Sequence, residues 1–178
     1  MSENFHEDNS ADERMAALRD SVPRIFPPVV YQGPVTRFDG AWLQELTEEN
    51  AILDDDKFLY EELLGRQWTE VPRDVVHAIP ALFVLLTHEA LVAFLPAWIM
   101  CALEDINGEN EVREYFIYLF SPDEQASQND FKLGMLRALN PDQRSLLRSV
   151  LMEFAQRERN KYVRGHASAA VKFIDDNF

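Results

Sequence analysis

The feature that most constrains the fold is an apolar stretch at residues 79–105, in which residues 90–103 include no charged side chain. From Glu89 onward the large apolar side chains recur every three or four positions, which is helical spacing, and the remaining positions are apolar as well. A helix that is apolar on all sides lies either inside a protein or across a membrane. Fourteen residues are too few for a span, which needs roughly 20, so the sequence predicts a buried helix over residues 89–103 and no membrane partner.

Three residues mark the start and the middle of this helix. Thr87 is placed to act as its N-cap, since the hydroxyl can accept a hydrogen bond from a free amide of the first turn, and the Glu89 carboxylate suits the positive end of the helix dipole. Pro96 lacks the amide that would bond the carbonyl four residues earlier, so we expect a kink there. The preceding residues 81–86 are a short apolar run that fits either a buried strand or an extended lead-in.

Shorter helices are predicted on both sides of the central one. Apolar spacing and end signals place them at residues 12–20, 40–48, 54–64, 73–79, 111–120, 141–159 and 162–173. Residues 123–130 are expected to be a polar loop, and residues 131–139 fit either a helix or a strand. The best-marked start is Asn140, an N-cap followed by Pro141 at the first helical position. The predicted fold class is all-α, a single-domain irregular helical bundle around a central, buried, Pro-kinked helix, with an α+β fold containing one or two short strands as the alternative.

The same spacing assigns side chains to the core and to the surface. Those expected on buried faces include Phe58, Leu59, Leu63, Leu64, Val112, Tyr115, Phe116, Leu119, Leu146, Leu147, Val150, Leu151 and Phe154. Residues 23–34 contain four of the nine prolines and are expected to cross the core in an extended path, anchored by Ile25, Phe26, Val29 and Tyr31. Gly65 is expected to end the helix at 54–64, and Arg144, Arg148 and Arg157 are expected to point outward.

Composition divides the chain into a short tail and one domain. Residues 1–11 are polar and acidic apart from Phe5, which predicts a disordered acidic tail, while residues 12–178 have an ordinary length for a single domain. Cys101 is the single cysteine, so neither an intramolecular disulfide nor a cysteine cluster is expected. The N-terminal residues lack the basic and apolar regions of a signal peptide, and we therefore expect a cytoplasmic protein.

Two segments resemble a known family. They are LLGRQWTEVP at residues 63–72 and the stretch at residues 81–98 that contains ALF, LTHEA and FLPAW. The pattern resembles a family of uncharacterised bacterial proteins with a WTEVP segment followed by a helix of the form LT-x-EA and FLPA-aromatic. Trp98 matches the aromatic residue of that pattern, whereas His88 stands where the family usually has proline. The resemblance implies a bacterial, helical, soluble protein and no residue roles, because the family has no known activity.

The charge of the chain bears on its partners. Lysine and arginine number 17 against 31 aspartates and glutamates, a net charge of −14, and the basic residues are concentrated in residues 132–178. Since phosphate neutralisation needs clustered basic residues, no nucleic-acid partner is expected. The leading hypothesis is a non-catalytic acidic protein-binding module, such as an immunity protein or antitoxin that neutralises a basic protein partner, for example a toxin. The candidate binding residues share one predicted helix and are Asp54, Asp55, Asp56, Glu61 and Glu62.

The chain contains two incomplete metal-binding motifs. His88 and Glu89 resemble the opening of a zinc-protease helix, but that chemistry needs a second histidine at position 92, which is valine. The aspartates at 54–56 lack the alternating ligands and the glycine of a calcium loop, so no metal ion or cofactor is expected. One alternative is a small enzyme of unknown reaction with a site formed by Arg73, His77, His88 and Glu89. A second is a homo-oligomeric scaffold that uses the arginine-rich helix; whether His77, His88 and His166 converge is left open.

Overall fold

The computed structural model describes residues 5–37, 51–78, 84–104 and 111–178. Within these ranges it contains a short 3-10 turn at Trp68–Glu70 and the helices α1 (Phe5–Ile25), α2 (Ala51–Leu63), α3 (Arg73–Ala78), α4 (His88–Glu104), α5 (Glu111–Phe120), α6 (Ala126–Ala138), α7 (Pro141–Arg157) and α8 (Lys161–Asn177). Helix α4 lies at the centre and contacts α1, α3, α5, α6 and the 3-10 turn. Helices α7 and α8 pack against each other and reach the remainder through α1 and α5. The predicted all-α fold is confirmed.

The β-structure of the described residues is limited to one isolated antiparallel bridge between Thr36 and Leu86. Residues 84 and 85 lie in a 3-10 turn and Leu86 forms the bridge just before α4, so this part of the apolar run is not a strand. The earlier part of the run at 81–86, and the helix expected at 40–48, lie outside the described residues. In the described part of the chain, no helix combines the length and the apolar character needed to cross a membrane.

Helix α4 is the buried helix that the sequence predicts. Leu95 and Trp98 are only 0% and 1% exposed, because neighbours cover α4 on several sides. The hydroxyl of Thr87 accepts a hydrogen bond from the amide of Ala90 at 3.0 Å, which confirms the predicted N-cap. The helix continues through Pro96, which is itself buried, and the predicted kink stays a prediction.

The C-terminal end of α4 is capped by two arginines from other helices. Arg19 of α1 donates a hydrogen bond to the carbonyl of Leu103 at 2.8 Å, and Arg113 of α5 donates one to the carbonyl of Ala102 at 3.1 Å. The last carbonyls of a helix have no partner within the helix and carry partial negative charge, so two guanidinium groups both satisfy and stabilise this end. These contacts fix α1 and α5 against the same end of the central helix.

Helix α1 differs in extent from the predicted helix at 12–20. It begins at Phe5, inside the segment predicted to be a disordered tail, and it continues past Pro23 to Ile25. The amide of Phe26 still donates to the carbonyl of Val22 at 2.8 Å, so the proline does not end the helix. The division into a tail at 1–11 and a domain at 12–178 stays a prediction.

The segment that follows α1 runs along the bundle to the start of α4. Phe26 is 3% exposed, and its carbonyl accepts a hydrogen bond from the indole of Trp68 at 2.9 Å. Tyr31 packs edge-on against Phe94 with ring centroids 5.6 Å apart. The prediction that Val29 is a core anchor is wrong, since this residue is 67% exposed. Successive side chains of an extended chain point in opposite directions, so the segment buries only some of its apolar residues.

Two further core assignments are wrong. Leu64 is 43% exposed because it follows the last residue of α2, and Gly65 then turns the chain with a φ of 77°. Tyr115 is 45% exposed, whereas Ile117 and Phe120 of the same helix are buried. Helix α5 contacts both α4 and α8, so its buried face is wider than, and rotated from, the face that a single apolar stripe predicts.

In the C-terminal third, the structure agrees more closely with the predictions from the sequence. Helix α6 starts at Ala126 and includes part of the expected loop, which settles residues 131–138 as helix. Asn140 accepts a hydrogen bond from the amide of Gln143, whose side chain bonds back to the Asn140 amide, so the predicted start of α7 is confirmed as a capping box. Its predicted buried side chains are confirmed as well, namely Leu146, Leu147, Val150, Leu151 and Phe154.

The arginines of α7 bond within the chain. Arg148 pairs with Asp175 of α8, and Arg144 lies 4.5 Å from the centre of the Phe178 ring. Arg157 was expected to point outward, but its side chain is only 17% exposed and forms ion pairs with Glu153 of α7 and Asp12 of α1. Arg148 and Arg157 thus have partners in other helices, and the scaffold alternative stays a prediction.

Candidate functional site

The predicted acidic cluster on α2 is only partly on the surface. Asp55 is exposed, but Asp56 is 0% exposed, so the prediction that it belongs to an exposed acidic face is wrong. Asp56 precedes Leu59 by three positions and Leu63 by seven, which places it on the buried face of the helix. Burial raises the pKa of the Asp56 carboxyl, and the nearby Thr36 hydroxyl offsets part of this shift.

Each of the two glutamates of the cluster has a cationic side chain four positions away in the sequence. Glu61 lies 3.8 Å from the ammonium group of Lys57, and Glu62 lies 3.3 Å from the guanidinium of Arg66. Exposed pairs of this kind are worth about 0–1 kcal/mol, but they reduce the local negative charge. The side chain of Asp54 lies outside the described residues. Of the five predicted binding residues, Asp55 and Glu61 are therefore the ones described as exposed.

His77, His88 and His166 do not converge on one site. His77 of α3 has a ring nitrogen within 4.8 Å of the Cys101 sulfur, near the C-terminal end of α4. His88 is the first residue of α4, 13 positions before Cys101, and thus about 20 Å away along the helix axis. His166 lies on α8, where Nδ1 is 2.9 Å from the hydroxyl of Ser121. The proposed enzyme site is consequently split between the two ends of the central helix.

His88 has a packing role. Its ring lies 5.2 Å from that of Phe131, and it covers Gly134 of α6 so closely that a Cβ at this glycine would overlap the imidazole. A glycine at this position lets α6 approach the start of α4. The neighbouring Glu89 is exposed on the first turn. The pair therefore joins two helices and shows no arrangement typical of catalysis.

At the other end of α4, a small cluster of reactive side chains forms between α3 and α4. Arg73 forms an ion pair with the carboxylate of Glu104, and one donor atom each from His77, Cys101 and Glu104 lie within 4.8 Å of one another. Cys101 is only 4% exposed, and burial raises the pKa of its thiol, while the adjacent guanidinium of Arg73 acts in the opposite direction. The thiol is thus held in its neutral form, which does not favour nucleophilic chemistry.

A cleft lies beside the proline-containing segment that follows α1. It has a volume of about 200 Å³ and is lined by Phe26, Pro27, Val29, Trp68, Val92, Ala93 and Gln143. Small-molecule sites are usually about 300–1,000 Å³ and contain a few convergent polar groups. This cleft is smaller and offers one side-chain amide, so it does not resemble a substrate pocket.

A group of exposed aromatic side chains lies where α5 packs beside α8. We name it the tyrosine surface, and it consists of Tyr115 and Tyr118 of α5 with Tyr162 and His166 of α8. The three tyrosines are 45%, 37% and 69% exposed. The rings of Tyr118 and His166 meet edge-on with centroids 4.8 Å apart. Solvent thus reaches several large rings on adjoining helices.

One ion pair and one ring contact between α5 and α8 define the relative direction of the two helices. Arg113, at the start of α5, pairs with Glu158, which precedes α8, at 3.5 Å. Further along both helices, Tyr118 meets His166. The helices therefore run in the same direction here, and Tyr115 and Tyr162 both lie about one turn before the Tyr118 and His166 contact.

Charged groups border the tyrosine surface on both sides. Glu111 and Glu114 each lie four positions before a tyrosine, Tyr115 and Tyr118 respectively, so the outer stripe of α5 contains two carboxylates and two tyrosines. On α8, the ammonium group of Lys161 lies 5.1 Å from the centre of the Tyr162 ring. Neither glutamate takes part in an ion pair among the described residues.

Comparison of the chain with protein-family models, with curated proteins and with solved structures finds no match. The resemblance to a family of uncharacterised bacterial proteins stays a prediction.

The tyrosine surface is not predicted from the sequence, because helical spacing assigns Tyr115 to the core and marks Tyr162 only as the start of a helix. A usable signal was present in the spacing of α5, where Glu111, Tyr115 and Tyr118 follow one another at four and three positions. An acidic residue on the same stripe indicates the solvent side of a helix. The α8 half of the surface needs the packing of two helices that are distant in sequence, so it is visible only in the structure.

Proposed function

We propose that this protein is a non-catalytic protein-binding module that holds a basic protein partner on its tyrosine surface. The observation that carries the proposal is the exposure of three tyrosines on adjoining turns of α5 and α8. Single exposed apolar residues are ordinary, but contiguous aromatic patches with a polar border are typical of interaction sites. Tyrosine is also enriched among the residues that dominate binding energy in protein interfaces.

Tyrosine suits this role for a physical reason. Its ring provides a large apolar area with two rotatable side-chain bonds, so little conformational entropy is lost on binding, and its hydroxyl can bond to a partner. In this protein the ring of Tyr118 is already held by His166, which reduces the loss further. We expect Tyr118 and Tyr162 to be the energetic centre of the interface, with Tyr115 beside them.

The charge of the molecule supports a basic partner. All 17 lysines and arginines lie in the described residues, and at least eight of them are within 4 Å of a carboxylate of the same chain. Those cations are largely neutralised internally, so the field of the net charge of −14 is dominated by the remaining acidic groups. Such a field speeds the approach of a cationic protein.

The two acidic regions have different roles in this proposal. Glu111 and Glu114 adjoin the tyrosines on α5 and are expected to contact the partner directly. Asp55 and Glu61 on α2 add to the long-range field, and their effect is expected mainly on the association rate. Within the class of protein-binding modules, we propose an immunity protein or antitoxin, since acidic proteins of this kind neutralise basic toxins by covering their surface.

The first experiment identifies the partner and tests the surface. Immobilised protein is incubated with an extract of the source cells, and the basic protein retained is then purified and its affinity measured directly. We expect Tyr162→Ala and Tyr118→Ala each to weaken binding by about tenfold or more, as residues central to an interface do. Met152→Ala is the matched control, because Met152 is 37% exposed, like Tyr118, but lies on α7 and is not part of the tyrosine surface. Unchanged affinity of both tyrosine variants, or the absence of a saturable basic partner, would refute the proposal.

The second experiment tests the charge argument by association kinetics at low and at physiological salt. Glu111→Lys with Glu114→Lys should slow association and increase dissociation, whereas Asp55→Lys with Glu61→Lys should slow association alone. Asp56 is left unchanged, because a charge reversal at a buried position would disturb the fold. A rate that is independent of both pairs of substitutions would contradict the electrostatic part.

The narrower class has its own test. When the purified partner is toxic on expression, co-expression of this protein should restore growth, and the Tyr162→Ala variant should not. Tyr162 is 69% exposed, so its loss is not expected to alter folding, which circular dichroism checks. Binding without protection would leave a protein-binding module that is neither an immunity protein nor an antitoxin.

A further inference from the structure

The cluster between α3 and α4 contains three different metal-binding groups. His77 provides an imidazole, Cys101 a sulfur and Glu104 a carboxylate, and one donor atom from each lies within 4.8 Å of the others. We propose that these residues form a binding site for a divalent cation of intermediate softness, with Zn²⁺ as the preferred ion. This site is separate from the tyrosine surface and from the proposed function.

The combination of donors selects the type of ion. Thiolate and imidazole ligands favour zinc and related transition metals, whereas magnesium and calcium prefer sites made of oxygen atoms. Three protein ligands occupy three positions of a tetrahedral zinc ion and leave the fourth for water. The cluster has a single carboxylate, so it matches the first group of ions and not the second.

The helices already bring the donors close to the required geometry. Ligand bonds of about 2.0–2.3 Å to a tetrahedral ion place neighbouring donor atoms roughly 3.3–3.6 Å apart. The donors lie within 4.8 Å, so side-chain movements of about 1 Å would close the site. Cys101 and Glu104 are three positions apart on one face of α4, and His77 is on the facing helix α3. The protein backbone therefore needs no rearrangement.

The guanidinium of Arg73 competes with a metal ion for Glu104 and Cys101. Arg73 lies four positions before His77 on α3, forms an ion pair with Glu104 and interacts with the sulfur of Cys101. Its guanidinium thus supplies the positive charge that a metal ion would provide. The side chain of Arg73 is 68% exposed, so it can move into solvent when a metal ion enters. The exposed position of His77 gives the ion access from solvent.

Binding exchanges one set of charges for another. The metal ion replaces the guanidinium beside Glu104, and the proton of the Cys101 thiol passes to solvent as the thiolate coordinates the ion. An intramolecular cation that must leave lowers the apparent affinity for the metal. The proposal consequently predicts that removal of Arg73 tightens metal binding, which no unspecific surface site would do.

The experiment titrates Co²⁺ into full-length, metal-free protein purified without a histidine tag. Cobalt reports its own coordination through absorption, since a thiolate ligand gives a charge-transfer band and tetrahedral geometry gives intense visible bands. Zn²⁺ is then added to displace cobalt, and a chromophoric chelator provides its affinity. We expect one ion per chain, a thiolate band, and displacement by Zn²⁺. Absence of saturable binding, or binding without a thiolate band, would overturn the proposal.

Variants assign the ligands. Cys101→Ser should abolish the thiolate band, and Cys101→Ser and His77→Gln should each weaken Zn²⁺ binding by more than about tenfold, because even the loss of a residue that only hydrogen-bonds to a ligand reduces metal affinity by about 10–100-fold. Arg73→Gln should tighten it, and His166→Gln, a matched histidine on α8, should leave it unchanged. Cys101 is buried, so thermal unfolding checks that variant, while the exposed His77 makes the test independent of core packing. Equal affinity of wild type, Cys101→Ser and His77→Gln would refute the site.

Discussion

The substitution Thr87→Ala tests how the central helix is joined to the rest of the fold. The Thr87 hydroxyl accepts a hydrogen bond from the Ala90 amide at 3.0 Å and donates one to the carbonyl of Pro34 at 2.9 Å. The first bond caps α4, and the second attaches the extended segment after α1 to the same point. Alanine removes both bonds without adding a bulky group.

The expected loss follows from these two contacts. Removal of an N-cap hydroxyl costs typically about 1 kcal/mol, with a range of about 0.5–2 kcal/mol. The bond to Pro34 adds about 0.5–1.5 kcal/mol, near the lower end because the same carbonyl also accepts from the hydroxyl of Tyr31 at 2.9 Å. We therefore expect Thr87→Ala to lower the free energy of unfolding by about 1.5–2.5 kcal/mol. For a chain of 178 residues each kcal/mol corresponds to roughly 2–4 °C in Tm.

Urea unfolding followed by helical circular dichroism measures this change. Thr87→Ser keeps the hydroxyl and should retain most of the stability, whereas Thr87→Val keeps the shape without a donor or acceptor and should resemble alanine. A loss below about 0.5 kcal/mol for alanine, which is the range of neutral surface substitutions, would refute the role of the hydroxyl. An equal loss for serine and alanine would show that the γ-methyl group, and not the hydroxyl, is responsible.

Three further predictions concern stability. Leu95→Ala should lower the free energy of unfolding by about 2–5 kcal/mol because Leu95 is fully buried, while Leu64→Ala, at a 43% exposed position, should lower it far less; urea titrations compare them. The pKa of Asp56 is raised in the folded state, so its stabilising contribution is complete below the unfolded pKa and is lost as pH rises through the folded pKa. The free energy of unfolding of Asp56→Asn, measured relative to wild type, should therefore be higher at pH 7 than at pH 4. The same difference between variant and wild type at both pH values would contradict this. Asn140→Ala should cost about 1 kcal/mol by thermal unfolding, with Asn140→Asp, which can still accept from the Gln143 amide, as the control.

Local signals in the sequence were sufficient for much of the fold. The start of α7 could be predicted from Asn140, Pro141 and Gln143, because the capping box involves neighbouring residues only. The centre of the fold could be predicted from the uniform apolarity of residues 90–103, since such a helix must be covered on several sides. These features depend on residues within one or two turns of each other.

Features that depend on two packed elements could not be predicted in the same way. Asp56 shares a helix face with Leu59 and Leu63, but the two adjacent aspartates led to the prediction that it is part of an exposed acidic cluster. Arg113 is 4% exposed because the end of α4 supplies a carbonyl for it, a contact between helices that no spacing within α5 indicates. The clusters around Tyr118 and around Cys101 likewise combine residues from helices that are not continuous in sequence.

Arg113 connects the end of the central helix to the tyrosine surface. Its guanidinium bonds to the carbonyl of Ala102 in α4 and to the carboxylate of Glu158 just before α8, and it lies 5.3 Å from the centre of the Phe154 ring in α7. Helices α5 and α8 are therefore held in a fixed relation, and a surface that is rigid before binding loses less entropy on binding.

The proposed metal site lies at the same end of α4 but uses different atoms. Cys101 and Glu104 contribute side chains, whereas Ala102 contributes its backbone carbonyl to Arg113. Cys101→Ser should thus abolish the thiolate band and leave partner affinity unchanged. Tyr162→Ala should weaken partner binding and leave the thiolate band unchanged. If zinc instead altered partner affinity, the ion would have to act through the backbone of this last turn of α4, and loss of that effect in a variant without the Arg113 guanidinium would identify the route.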